Sequence, residues 1–83
     1  MSLLSWNWQD QKKMKRKLDE MSRTEIEGLI DEWIHNERDR KIMKRRLIDG
    51  VCFEPLAEEF DLSVRQVKNI VYKGEEKIFA HVE

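Results

Sequence analysis

One stretch, residues 53–72, constrains the fold more than any other part of the chain, because its apolar residues are spaced for two short helices. Leu56 and Phe60 lie four residues apart and therefore share one face of a helix. Val67 and Ile70 lie three residues apart and share one face of the next helix. The stretch therefore predicts two short amphipathic helices in succession.

A tight turn is predicted between these two helices. Leu62 is expected to fill the corner, and Ala57 lies where a side chain larger than a methyl group would push the helices apart. Ser63 is placed to cap the second helix, which stabilises it by about 1 kcal/mol. The pattern is typical of a helix-turn-helix, whose second helix enters the major groove of DNA. That helix would present the polar face that the core leaves free, which consists of Arg65, Gln66, Lys68, Asn69 and Lys73.

Apolar residues at helical spacing recur upstream, and they predict an all-α fold, a small bundle of four to five helices that contains the helix-turn-helix. A charged helix is predicted from about Asp10 to Glu20. Residues 26–34 show the clearest amphipathic pattern, and Trp33 is predicted to be the largest buried side chain of that helix. Either Ser22 or Thr24 begins it, because each is followed three residues later by a glutamate.

Stop signals divide the remainder of the chain. A helix from about Glu37 to Asp49 is expected to end at Gly50, since glycine readily adopts a positive φ. The last helix is expected to run from Val64 to near His81. The predicted organisation is a flexible tail over 1–9, N-terminal helices over 10–36, and a helix-turn-helix unit over 37–83 that forms one domain with residues 22–36.

Composition limits the classes of function. Charged and apolar residues each make up 40% of the chain, which is typical of a water-soluble helical domain. No apolar run approaches the ~20 residues of a membrane span and no signal peptide is evident, so a cytoplasmic protein without a membrane partner is expected. The single cysteine, Cys52, has no second thiol or paired histidines near it. It is predicted to be a small buried residue, and no metal or other cofactor is expected.

The charge is nearly balanced, with 16 Lys and Arg against 17 Asp and Glu, which disfavours nonspecific coating of nucleic acid. Because salt screens charges over about 8 Å, a locally basic face can still bind a phosphate backbone. Two basic clusters are candidates for such a face, or are ordinary solvated helix surfaces. The first comprises Lys12, Lys13, Lys15, Arg16 and Lys17, and the second comprises Arg38, Arg40, Lys41, Lys44, Arg45 and Arg46.

The run RRLIDGVCFEPLAEEFDLSVRQVKNIVYKGEEKIF lies between about Arg40 and Phe79. It contains a basic helix, an acid and glycine stop, an aromatic residue, a Leu-Ala pair, a Phe-Asp-Leu-Ser turn and a Val-Arg-Gln-Val helix. In this order it resembles the C-terminal domain, region four, of bacterial sigma factors, which reads the promoter element upstream of the start site. The resemblance implies a sequence-specific DNA-binding transcriptional regulator of the phage or mobile-element type, with double-stranded DNA and RNA polymerase as expected partners.

The resemblance also assigns roles to individual residues. It places the groove-facing positions of the family on Val64, Arg65, Gln66, Lys68 and Asn69, and its phosphate contacts on Arg46, Ser63 and Lys73. Asp61 stands where many helix-turn-helix proteins have glycine, although aspartate tolerates the left-handed conformation better than most residues. Arg45 replaces a residue that is usually apolar in the family and Gly74 one that is usually alanine, so both bear on helix packing around the motif.

The residue types on this face suit base reading. Arginine or lysine holds guanine through O6 and N7, and asparagine or glutamine holds adenine with two hydrogen bonds, each pair giving about 1–3 kcal/mol of discrimination. Arg65, Gln66 and Asn69 are of these kinds, and Arg65 and Asn69 share a face. The alternative is that these residues form only the solvent side of an amphipathic helix.

Other functions are weaker or remain as alternatives. Catalysis is not expected, because neither histidine lies near a cysteine or serine nucleophile in the sequence. One alternative is a protein-interaction adaptor that binds RNA polymerase or another regulator without reading DNA, through Trp6, Trp8, Glu54, Glu58 and Glu59. A further alternative is a DNA-binding homodimer, paired through the N-terminal helix or the Trp33 face.

Overall fold

A computed structural model describes residues 8–82 of the chain, with side chains described for 9–81. Five helices follow one another: α1 (Trp8–Asp19), α2 (Arg23–Trp33), α3 (Glu37–Leu47), α4 (Phe53–Glu59) and α5 (Val64–Val82). The described residues contain no strand, so the predicted all-α fold of four to five helices is confirmed. None of these five helices combines the length and the apolar composition that crossing a bilayer demands.

Short polar side chains and one glycine set the boundaries of the helices. Ser22, rather than Thr24, caps α2: its Oγ accepts from the Glu25 backbone N–H at 3.2 Å, and the Glu25 carboxylate accepts from the Ser22 N–H at 3.0 Å. Asn36 caps α3 by accepting from the backbone N–H of Asp39 at 3.1 Å. Gly50 has a φ of 71°, so the predicted stop after α3 is confirmed.

Helix α5 is the centre of the bundle, because it contacts each of the other four helices. Its buried side chains meet those of the surrounding helices in one core. The core contains Met14 of α1, Ile26 and Ile30 of α2, Ile34 after it, Ile42 and Met43 of α3, Leu56 and Ala57 of α4, and Val67, Val71 and Ile78 of α5. No polar or charged side chain among the described residues is buried. The apolar faces predicted from spacing therefore hold α5 in place, with its polar side in solvent.

Gly74 marks a close approach between α3 and α5. A methyl group at this position would lie 2.6 Å from the Sδ and Cε atoms of Met43, whose side chain is fully buried. The departure from alanine noted in the sequence is therefore explained by the volume of a methionine that occupies the space.

Two predictions about single residues are wrong. Trp33 is only partly buried, because it is the last residue of α2 and its ring stacks on that of His81, with centroids 3.5 Å apart and planes 4° from parallel. The stack lies at the rim of the core rather than inside it. Cys52 is exposed, because it is the N-cap residue of α4 and lies outside the helix that carries the buried Leu56.

Candidate nucleic-acid interface

Four residues connect α4 to α5 and reverse the course of the chain. Asp61 adopts a left-handed conformation with a φ of 55°, as the sequence predicts for an aspartate in place of glycine. The backbone N–H of Leu62 donates to the carbonyl of Ala57 at 2.9 Å, which closes the turn. Leu62 packs against the core, and Ala57 is only 4% exposed. The corner is therefore held by backbone bonding and by apolar contact together.

The first turn of α5 is closed by a reciprocal pair of hydrogen bonds. Ser63 Oγ accepts from the backbone N–H of Gln66 at 3.1 Å, and Gln66 Oε1 accepts from the backbone N–H of Ser63 at 2.9 Å. The Gln66 amide must be oriented with its oxygen toward the Ser63 backbone N–H, because its NH₂ group in that place would set one hydrogen-bond donor against another. In this conformation the Gln66 oxygen is turned toward Ser63, so the side chain presents mainly its NH₂ group and is not oriented for the two-bond adenine contact considered above. The Ser63 hydroxyl keeps its own proton for donation.

Three further polar residues in the first half of α5 have exposed side chains without a hydrogen-bond or ion-pair partner among residues 8–82. Arg65, Asn69 and Lys73 lie at intervals of four, which places them in one stripe along the helix. Within residues 8–82 none of their three side chains forms a hydrogen bond or an ion pair. No acidic residue occurs between Val64 and Gly74. Val64 itself is partly buried against the core, so it offers less surface than the resemblance implies.

Phe53, which the sequence analysis did not treat as a functional residue, lies between two of the predicted contact residues. The guanidinium carbon of Arg46 lies 4.1 Å from the centre of the Phe53 ring, and Lys68 Nζ lies 5.7 Å from it. The edge of Tyr72 also meets this ring, at 6.0 Å between centroids. Arg46 in addition donates to the carbonyl of Val51 at 3.1 Å. The aromatic ring therefore joins Arg46 of α3 to Lys68 of α5 in one surface.

The second basic cluster is engaged inside the molecule. Lys44 pairs with Asp31 at 2.9 Å, and Lys41 pairs with Glu37 at 3.7 Å. Arg38 pairs with Asp39 at 3.2 Å. Arg40 donates to the backbone carbonyls of Ile34 and Asp31. The bonds of Lys44 and Arg40 join α3 to α2 and to the residue after it, and those of Lys41 and Arg38 lie within α3. These four cations are therefore less available to DNA than the sequence suggests.

Arg45 shows why a charged residue is accepted where the related family is usually apolar. Its guanidinium donates to Glu59 at 2.9 Å and to Asp49 at 3.2 Å, so it joins α3 to the end of α4 at the surface. The hydrogen bond to Glu59, followed by that to Asp49, raises the pKa of Arg45 above its ordinary value. All three glutamates of the acidic surface proposed for an adaptor are exposed, but Glu59 is paired with Arg45, whereas Glu54 and Glu58 have no ion-pair partner within residues 8–82.

Other candidate features give no site. Trp6 lies outside the described residues, and Trp8 is described only as the first residue of α1. The described residues include no group of three histidine, cysteine or acidic side chains placed to hold a metal ion. The chain matches no protein-family model, no curated protein and no solved structure. The chemistry of the surface at α5 is therefore the basis for a functional argument.

Proposed function

We propose that the chain is a sequence-specific, DNA-binding transcriptional regulator that uses α4 and α5 as a helix-turn-helix similar to sigma factor region four. One observation carries the proposal: the exposed stripe of Arg65, Asn69 and Lys73 has no partner within residues 8–82, and no acid accompanies it through the first half of α5. An α-helix is about 10–12 Å wide with its side chains, which fits the major groove of about 12 Å.

The stripe has the chemistry for two base contacts. Arg65 is suited to guanine O6 and N7, and Asn69 is suited to adenine N6 and N7. The two residues are separated along the helix by about 6 Å, since each residue rises about 1.5 Å. This separation is about two base-pair steps, since B-DNA rises about 3.4 Å per step. We therefore expect the two contacts to fall about two base pairs apart in one recognition sequence.

Gln66 is expected to meet bases mainly through its NH₂ group, because its amide oxygen is turned toward Ser63. Guanine, adenine and thymine each present an acceptor in the major groove, whereas cytosine presents its N4 amino donor. Because a cytosine is paired with a guanine, whose N7 and O6 are acceptors in the same groove, the Gln66 NH₂ group is expected to add affinity rather than to exclude a base pair. Ser63, Lys73 and Arg46 are assigned to phosphates, since each has at least one hydrogen-bond donor that is not used inside the protein.

A selection from randomised duplexes at low salt tests this proposal. The wild-type chain should enrich one short sequence, and Arg65→Ala should lose preference at a single position of it while its helix content is unchanged. Sequencing of the selected pools gives the result, and a measurement of solution mass shows whether a monomer or a homodimer binds. Recovery of no enriched sequence would rule out specific DNA reading.

The adaptor function is retained as a second candidate because of one observation on α4. Glu54 and Glu58 are exposed, lie four residues apart and have no ion-pair partner within residues 8–82. A basic surface on RNA polymerase or on another regulator is the expected partner. Glu54→Gln together with Glu58→Gln should abolish co-purification of polymerase. Unchanged co-purification would remove this surface from consideration.

A further inference from the structure

Helix α1 and the DNA-reading side of the molecule meet across an open groove of 480 Å³. Met14, which is 1% exposed, anchors α1 to the core, so the polar face of α1 is fixed relative to α5. The groove is lined by side chains from four helices. They include Lys12 and Lys15 of α1, Arg46 of α3, Phe53 of α4 and Tyr72 of α5, together with the acids Asp19 and Glu75.

Two of these groups are suited to hold a phosphate. Lys15 is exposed and has no hydrogen-bond or ion-pair partner within residues 8–82. Arg46 is held over Phe53 and donates one N–H to Val51, which leaves further guanidinium donors for a phosphate oxygen. Loss of side-chain entropy on binding is smaller for a guanidinium that is already positioned. The groove therefore combines one free ammonium group with one oriented guanidinium group.

The groove continues the surface proposed to read DNA. Phe53 contacts both Arg46 and Lys68, so cations of α3 and α5 adjoin the groove, whose lining also includes the acids Asp19 and Glu75. Elsewhere, α4 presents the exposed acids Glu54 and Glu58, which would repel a phosphate backbone. A duplex on α5 is therefore expected to place its flanking phosphates toward α1 rather than over the outer face of α4.

We infer that α1 is a second phosphate-binding edge, on which Lys15 and Arg46 hold the backbone of the same duplex that α5 reads. This inference rests on the proposed function. It gives part of the first basic cluster a role that the charge pattern alone left open. The longest dimension of the protein, 32 Å, corresponds to about nine base pairs at 3.4 Å each, which limits the length of duplex that the protein can contact. Because the α1 contact is proposed for flanking phosphates, it is expected toward one end of that length.

The experiment compares Lys15→Gln with Lys13→Gln on the duplex that the wild-type chain selects. Lys13 is also exposed on α1 but does not line the groove, so both variants lose the same charge from the same helix. The slope of log Kobs against log salt concentration should fall in magnitude by about 0.9 for Lys15→Gln, since one phosphate contact is lost. Lys13→Gln should keep the wild-type slope, and both variants should keep the wild-type Tm.

A duplex trimmed at either end gives a second readout. Trimming one end should reduce the affinity of the wild-type chain at least to that of Lys15→Gln on the full duplex, and the two proteins should bind the trimmed duplex equally. Equal slopes for Lys15→Gln and Lys13→Gln would overturn the α1 contact. If the protein's preference for the sequence of that duplex still depends on Arg65, the DNA-reading function stays intact. Absence of any enriched duplex would overturn both.

Discussion

Helices α3 and α5 each carry several cations, but they use them differently. On α3 all six lysines and arginines are bonded to carboxylates or backbone carbonyls of the protein. On the first half of α5, Arg65 and Lys73 have no such partner within residues 8–82. The carboxylates that neutralise α3 come from α2, from α4 and from α3 itself, whereas the first half of α5 contains no acid.

The comparison shows that a run of basic residues does not by itself identify a surface for nucleic acid. The α3 cluster is the denser of the two, yet its cations are bonded within the protein, some of them across helices and some within α3. The α5 cations are fewer, but a phosphate or a base edge would meet no internal competitor there. Apart from Arg46, which keeps guanidinium donors for a phosphate, the cations of α3 therefore act as structural charges, whereas Arg65 and Lys73 of α5 are available for binding.

The largest effect is expected from a change that disturbs both helices at once. Met43 of α3 is fully buried and fills the space beside Gly74 of α5. Met43→Ala should lower the free energy of unfolding by about 2–5 kcal/mol, as buried large-to-small changes do. Met43→Leu is the control, since a volume-conserving change costs less than about 1.5 kcal/mol. Chemical denaturation measures both, and a fully stable Met43→Ala variant would contradict the packing described for these helices.

A smaller effect should distinguish the arginines of the two helices. Arg65→Ala is expected to lose about 1–3 kcal/mol of base discrimination, because one two-bond guanine contact disappears. Arg38→Ala, which removes an arginine paired with Asp39, should keep the sequence preference. Competition binding with single-base variants of the selected duplex provides the measurement. Equal loss of preference in the two variants would remove the distinction between α3 and α5.

The two serine caps separate an effect on stability from an effect on DNA binding. Ser22→Ala and Ser63→Ala should each lower the free energy of unfolding by about 0.5–2 kcal/mol, because each removes an N-cap hydrogen bond. Only Ser63→Ala should also weaken DNA binding, since its hydroxyl is assigned to a phosphate and it holds Gln66. Thermal melts and binding titrations on the same samples test this. Weaker DNA binding by Ser22→Ala would show that the loss reflects general destabilisation.

Much of the fold was predictable from apolar spacing and from caps. The amphipathic spacing predicted the helices of the bundle, and Gly50, Ser63 and Asp61 fulfilled local conformational roles that their chemistry favours. The partial exposure of Trp33 and the full exposure of Cys52 were not predictable in this way. Each lies at the boundary of a helix, where burial depends on the tertiary arrangement rather than on periodicity.

The site was predictable as a set of residue types but not as a set of contacts. The Ser-x-x-Gln spacing from Ser63 to Gln66 is a capping-box signal, so the hydrogen bond between the Gln66 oxygen and the Ser63 backbone was predictable from the sequence. The stacking of Arg46 on Phe53 was not, because it joins residues of different helices. Likewise, the partner of each cation on α3 depends on how α2, α3 and α4 pack.

The most direct test of the account compares one lysine from each helix. Lys44→Gln removes a cation bonded to Asp31, and Lys73→Gln removes a cation with no internal partner. On the selected duplex, the slope of log Kobs against log salt concentration should fall in magnitude by about 0.9 for Lys73→Gln and should not change for Lys44→Gln. A wild-type slope for Lys73→Gln, or a reduced slope for Lys44→Gln alone, would contradict the assignment of α5 as the helix that binds DNA.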